Sequence, residues 1–383
     1  VESSFTTDWA AKGFLETPED LASEFEPEGA QAARDYFANY GPAIMECISY
    51  DGKPMGVPFH QYTMLNVYRK DVFEHPVERE NFEEEYGREL RPAQSFEELK
   101  ELGEFFTREK GEKLKGETLE KDIYGMALMA GQYPHIQDEV SSMIWGRGAR
   151  WAEVVKSGSG EIEGFRLNDS STKAEVVDAM SDYKGLLPYT PPGTLNAFWD
   201  FASAQFANGT VMMWPTCYAD LWWASAAVEN NIDGAEIGTA MVPGGHPYLG
   251  TYYFAVTRDS QNKEAAYWFM KYIGSYGVQM KLSESTSNTS RMDVMDDDKW
   301  ETAEFEKAGR WMDACKKTWN ENEGNIKTYI HFTSDAFGKI YEAMMVECHA
   351  AAAGEKSPEQ AISDWEDQFV ELQSKAGEIP ILD

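Results

Sequence analysis

The stretch from Gly56 to Asp71, GVPFHQYTMLNVYRKD, constrains this chain more than any other segment. It reads as a short buried strand, Gly56 to Phe59, then the polar residues His60, Gln61 and Tyr62, then a second apolar strand, Met64 to Tyr68. Pro58 has no N–H to give a ladder, so its strand belongs at an edge. No Gly or Asn stands between the two strands to reverse the chain, so the chain runs onward. A segment of this kind can cross between two lobes. Its polar and aromatic side chains would then line the cleft between them, where small-molecule sites tend to lie.

Composition agrees with two lobes. At 383 residues the chain exceeds one ordinary core. Hydrophobic residues make up 42% and charged residues 26%, a globular balance. No apolar run reaches the ~18 residues of a membrane span. The opening residues, VESSFTTDWAAKGF, lack the basic start and apolar run of a signal peptide, so any such signal lies outside this sequence. Acidic residues number 66 against 34 basic, a net charge of −32. Phosphate backbones and anionic lipid would be repelled, which argues against nucleic acid and membrane-surface partners. The acids spread along runs such as Glu83 to Glu85 and read first as a solvated surface that keeps the chain monomeric, and only second as a site for a cation. Cys47, Cys217, Cys315 and Cys348 form no C-x-x-C pair and no zinc spacing. They are buried thiols or disulfides that sequence cannot pair.

Along the chain, helices and strands alternate, which gives an α/β class. Thr17 and Pro18 open a helix, Ser95 with Glu98 has the form of a capping box, and Ser171 is read as the cap of a helix over Lys173 to Lys184. Residues 71–90 read as a loop with an acidic tract. Strands are expected at Tyr124 to Met129, Val211 to Trp214 and Gly250 to Val256, and a hairpin turns at Gly158 to Gly160. Asn208-Gly209 stops a helix that begins at Asn196.

Four segments together resemble the solute-binding proteins of ABC importers, of the large carbohydrate-binding type that includes the maltose-binding protein. They are Gly56 to Asp71; Tyr86 to Leu90 with Ser95 to Leu99; Phe206 to Met213 (FANGTVMM); and Gly250 to Val256 with Asn262 to Ala266. Singly each is weak, and their order over most of the chain makes the match specific. The resemblance implies two α/β lobes joined by crossing strands, with a ligand held in the cleft and hinge closure around it. It places lobe one at 1–61 and 252–325, and lobe two at 62–251 and 326–383. Relative to the family, the first strands of lobe one precede the point where this sequence opens, and a lone lobe without them is expected to be unstable.

The implied ligand is a carbohydrate: a sugar, an oligosaccharide or a sugar alcohol. Pyranose faces are apolar and their edges hydroxylated, so a site needs aromatic platforms and polar groups. Candidate ligand residues are Gln61 and Tyr62 at the first crossing, Trp214 and Tyr218 after the third segment, Trp222, Tyr252 and Tyr253 at the return crossing, and Arg291. Each has a bland alternative: core packing for the aromatics, hinge packing for Gln61, and a pair with Asp293 for Arg291. Of the neighbours Trp222 and Trp223 only one can face the cleft on a helix, and Tyr252 and Tyr253 alternate on a strand. Trp9, Trp145 and Trp199 read mainly as core. His60 reads as a structural, hydrogen-bonded histidine. The resemblance also implies an ABC transporter permease as partner and a periplasmic location.

The rival class is a glycan hydrolase with two carboxylates in an aromatic cleft. No motif singles out such a pair. Gly146-Arg-Gly148 lacks a dinucleotide loop's third glycine; no P-loop, H-E-x-x-H or G-x-S-x-G occurs. Asp293 to Asp298 lacks a calcium loop's glycine and spacing. Neither catalytic residues, nor a cofactor, nor a metal are expected.

Overall fold

The computed structural model describes residues 1–383. Six strands position the functional residues: β1 (Val57–Gln61), β2 (Met64–Arg69), β3 (Tyr124–Met126), β4 (Val211–Tyr218), β5 (Ile237–Ala240) and β6 (Thr251–Phe254). The consecutive strands β1 and β2 belong to different sheets. β1 pairs only with β6, antiparallel, so Pro58 sits in a strand with a free edge. β2 enters a four-stranded sheet of order β5-β2-β4-β3, in which only β4 and β3 run parallel. Between the sheets the two connections run side by side: Tyr62 N donates to Gly250 O (3.0 Å) and Met64 N to Tyr248 O (3.1 Å).

Helices of eight residues or more are numbered in chain order. α1 (Pro18–Phe25) and α2 (Ala30–Phe37) pack together, and α3 (Pro76–Tyr86) and α4 (Phe96–Phe106) follow β2. α5 (Pro134–Gly146) and α6 (Ser170–Leu186) pack on each other. α7 (Trp199–Ala207) leads into β4, and α8 (Trp222–Asn231) leaves it. α9 (Lys263–Ile273) and α10 (Tyr276–Thr286) follow β6. α11 (Glu306–Asn322) lies against β5, and the closing pair α12 (Phe337–Ala352) and α13 (Pro358–Ala376) covers α5 and α6.

Apolar burial falls into two unequal clusters. The larger joins 81 buried residues around the four-stranded sheet and the closing helices. The smaller holds eight, among them Leu21, Ala33, Val57, Tyr267 and Met270, drawn from α1, α2, β1 and α9. On the α9 and α10 side Trp268, Phe269, Tyr272 and Tyr276 remain exposed. All four cysteines are buried free thiols.

Several elements differ from their sequence expectation, each for a local reason. Residues 71–90 contain helix α3: Pro76 stands at its first turn and Gly87 ends it at φ +69°. Its acidic surface, with Phe82 as its one fully enclosed apolar side chain, hides the helical period. The cap of α6 is Asp169, not Ser171, because its carboxylate accepts from both Ser171 N (2.9 Å) and Thr172 N (2.8 Å). In the Ser95 box, Ser95 Oγ accepts from Glu98 N (3.3 Å), but the Glu98 carboxylate turns to Gln94 N and Arg91. β4 runs on to Tyr218 past Pro215, whose missing N–H falls in a register shift between Trp214 and Cys217. β3 stops at Met126; Met129 N leaves the ladder for the Glu139 carboxylate (2.9 Å).

Candidate functional site

The two connections between β1–β2 and β5–β6 form one wall of a cavity of about 280 Å³. The volume suits a small ligand, since sites commonly run from ~300 to 1,000 Å³. Tyr62 and Tyr252 stand on the crossings themselves, with ring centroids 5.1 Å apart. Tyr248 stacks beside Tyr62 at 6.2 Å and 17°. Tyr218, at the end of β4, meets Tyr62 edge to face at 6.1 Å. Trp199 at the start of α7 and Tyr341 of α12 add further aromatic wall.

Three carboxylates reach the same cavity from three directions: Glu2, Asp138 of α5, and Asp220 just after β4. Glu2 receives the Tyr62 hydroxyl, a long contact from the Tyr248 hydroxyl (3.5 Å), and Ser4 N (3.1 Å). Asp138 receives the Tyr218 hydroxyl at 2.5 Å and the Gln137 amide. Burial drives its pKa well above the ordinary carboxylate range, with the Glu2 and Glu139 charges adding to the effect. Asp220 lies 3.7 Å from His60 Nε2 with no closer partner. An ion pair would pull the two pKa values apart, yet burial outweighs the attraction here. It pushes Asp220 up to about 7 and His60 below its usual value. His135, packed against Tyr218 at 5.4 Å, is pushed down to about 4 by burial and stays neutral.

α5 carries this chemistry because it is buried all round and takes polar side chains in with it. Gln137, Asp138, Glu139, Ser141 and Ser142 are all buried there and nearly all satisfied. Glu139 accepts from Thr216, from the Tyr183 hydroxyl (2.5 Å) and from Met129 N. Ser142 Oγ accepts from Tyr248 N (2.7 Å), which fixes the Tyr248 crossing against the helix.

Of the candidates read from sequence, the cavity gathers Tyr62, Tyr218 and Tyr252. The other five lie elsewhere. Gln61 is fully buried beneath the crossing, bonded to Thr63 N, Cys315 and the Asn288 side chain. Trp214 is enclosed in the sheet core, its indole N–H without a partner. Trp222 packs edge to face on Trp311 at 5.0 Å, and Trp223 points to solvent. Tyr253, on the opposite face from Tyr252, is buried and receives the Thr6 hydroxyl (3.0 Å). Arg291 grips Asp293 with two nitrogens (2.9 and 2.6 Å) and Gly274 O (3.0 Å), its guanidinium 5.3 Å from the Tyr40 ring. Trp145, deep in the core, stacks on Tyr329 at 4.0 Å, and Trp9 is half exposed. Sequence reasoning did not single out Glu2, His135, Asp138, Asp220, Tyr248 or Tyr341 as ligand contacts. The usable signal was the acid pair Asp138-Glu139 in a helix with no lysine or arginine to pair it.

A larger open groove of about 720 Å³ runs between α11 and the β5 edge. Its side chains include Lys70, Arg91, Arg310 and Lys317, and Tyr68 is its one aromatic. Without a platform for an apolar ligand face, it is the weaker candidate.

The sequence matches the profile described as "Bacterial extracellular solute-binding protein" over residues 3–309. The chain belongs to that family. Solved structures share its fold at low identity. A ribitol complex of an ABC transporter solute-binding protein from Agrobacterium radiobacter superposes with a TM-score of 0.70 at 17% identity, covering 98% of this chain and 83% of its own. A mannitol-bound one from Agrobacterium vitis gives 0.68 at 19%, covering 99% and 85%. A maltose-bound protein of T. maritima gives 0.66 at 19%, covering 96% and 82%. The solute-binding family member described here therefore has the two-lobe periplasmic-binding-protein fold. No helix is long and apolar enough to cross a membrane.

Proposed function

We propose that this protein captures a sugar or sugar alcohol in the cavity at the crossings and delivers it to an ABC transporter permease. The observation that carries the reading is the cavity itself: tyrosine and tryptophan faces on several sides and hydrogen-bonding groups between them, built on the strands that join the two sheets. Aromatic faces take the C–H surface of a sugar, and carboxyl and hydroxyl groups take its edges. Ribitol, mannitol and maltose in the related structures support a carbohydrate ligand.

In this reading 1–61 with 252–325 form one lobe and 62–251 with 326–383 the other, hinged at the crossings. Glu2 and Tyr252 then face the remaining lining groups across the seam, so closing the hinge would complete the site. The protein works as a periplasmic monomer without catalysis, and its negative charge keeps nucleic acid away.

Titration calorimetry against a panel of monosaccharides, short oligosaccharides and alditols tests the reading. Saturable 1:1 binding of a panel member supports it. Cleavage of a glycan with no such binding would replace it with a hydrolase.

A further inference from the structure

The cavity is lined by acids and by no lysine, arginine, asparagine or glutamine. Glu2 and Asp220 face a space whose lining holds no compensating cation, while burial disfavours the charged form of Asp138. The donors nearest to them are already used: Tyr62 and Tyr248 donate to Glu2, and Tyr218 donates to Asp138. Beside the hydroxyls of Tyr252 and Tyr341 and the indole N–H of Trp199, the walls offer the lone pairs of Asp220 and aromatic faces around it. A neutral hydroxyl asks for a donor as often as it gives one. A protonated amine only donates, and aromatic faces attract it.

We propose that the ligand of this site is a carbohydrate bearing a protonated amine, an amino sugar or amino alditol, with Asp220 as the principal partner of its ammonium group. The proposal rests on the carbohydrate reading above and narrows it.

Three observations favour a small organic cation. The three carboxylates do not converge as a metal site would, since no cluster of His, Cys, Asp or Glu in the structure could hold an ion. Asp220 has only the distant His60 and keeps about a quarter of its side-chain surface (24%) open to the cavity, so its oxygens are free to accept. Tyr252, next to Tyr62 and 6.5 Å from His60 by ring centroid, is 43% exposed and offers its ring on the same side. The burial that holds Asp220 near 7 is the cost of an acid waiting without a counter-charge, and an ammonium would return it to the ionised form. The acidity of the whole chain does not produce this arrangement, because the same chain lines its larger groove with four cations against two acids, Asp313 and Glu321.

Calorimetric titration with glucosamine and galactosamine, beside glucose, galactose, N-acetylglucosamine, mannitol and 1,4-diaminobutane, decides the matter. The expected result is at least tenfold tighter binding of an amino sugar than of its hydroxyl and N-acetyl counterparts. In Asp220→Asn that preference falls to about onefold. Asp220 is not a core residue, and an unchanged circular dichroism spectrum and melting temperature would certify the variant's fold. If a neutral sugar binds as tightly as its amine, or if Asp220→Asn keeps the preference, the cationic assignment is overturned while the carbohydrate function stands. If the diamine binds and no sugar does, the cationic site stands and the carbohydrate reading falls. Binding of nothing in the panel overturns both.

Discussion

At the scale of the residue, two tryptophans separate ligand binding from packing. Trp199 lines the cavity, and Trp214 is sealed in the sheet. Trp199→Ala is expected to weaken ligand binding by about 1–3 kcal/mol with little loss of stability. Trp214→Ala is expected to cost about 3–5 kcal/mol of stability, since a large enclosed side chain leaves a cavity behind. Calorimetry and urea unfolding on both variants check the pair, and a Trp214→Ala protein of normal stability with lost affinity would reverse the assignment. His331 offers a different readout. It is wholly buried, bonded through Nε2 to Gln137 (2.9 Å), and burial pushes its pKa down to about 3. As pH falls below the ordinary value of about 6.5, the unfolded chain takes up a proton that the folded chain refuses. The stability present above pH 6.5 is therefore lost on the descent toward 3, at up to ~1.4 kcal/mol per unit. His331→Asn should lose less stability than the parent between pH 6.5 and 5, by up to about 2 kcal/mol, whatever its starting value. Equal slopes in urea unfolding at the two pH values would place the acid sensitivity on another group. The same scale explains which site residues could be read in advance. Tyr62 was legible from its place in the crossing, Tyr252 only as one of an alternating pair with Tyr253, and Tyr218 only through the family resemblance; the cavity gathers all three. Asp138 and Asp220 were not, because 66 acids look alike until burial singles out a few.

At the scale of the element, the β1–β6 ladder is the joint on which the two sheets meet. Gly56 precedes β1 where a Cβ would stand 2.2 Å from Phe254 O and 2.3 Å from the Tyr253 ring. Neither the backbone oxygen nor the enclosed ring can withdraw. Gly56→Ala should therefore force the ladder apart and cost about 1–3 kcal/mol or more. Faster hydrogen exchange at Thr251–Phe254 would be its local sign, and an unchanged exchange pattern there would show that the joint tolerates the side chain. The sequence announced β1 as an edge strand through Pro58 and its onward run through the absence of a reversing turn, but not its pairing with β6. Other elements were silent for physical reasons. α3 carries a strongly polar surface, so its helical period is masked, whereas α11 buries Trp311, Cys315 and Trp319 at every fourth position, a period that could have been read. β4 continues past its expected end at Trp214 to Tyr218, because a register shift absorbs the missing donor of Pro215. Caps were read correctly where one side chain could serve, as at Thr17, whose hydroxyl accepts from Asp20 N (3.0 Å). Where Asp169 and Ser171 competed, the charged acceptor won.

At the scale of the whole molecule, charge sets the response to solvent. The chain forms many surface ion pairs, among them Arg310–Glu306 and Lys375–Glu371, and these are the kind worth little each. Against them stands a net charge of −32, whose self-repulsion is spread over the entire surface. Salt weakens both terms. The Debye length falls from ~10 Å at 0.1 M to ~3 Å at 1 M, so the long-range repulsion is removed while pairs in contact lose only their modest gain. Stability should therefore rise with added sodium chloride. The rise should be strongest where acids outnumber bases and the core is smallest, around α1, α2 and α9 with their eight-residue cluster. Urea unfolding at about 0.05 and 1 M salt gives the overall change, and hydrogen exchange on α1 and α9 gives the local one. A midpoint that falls with salt would mean that the ion pairs outweigh the repulsion. A rise confined to the sheet would move the weak region away from the small cluster.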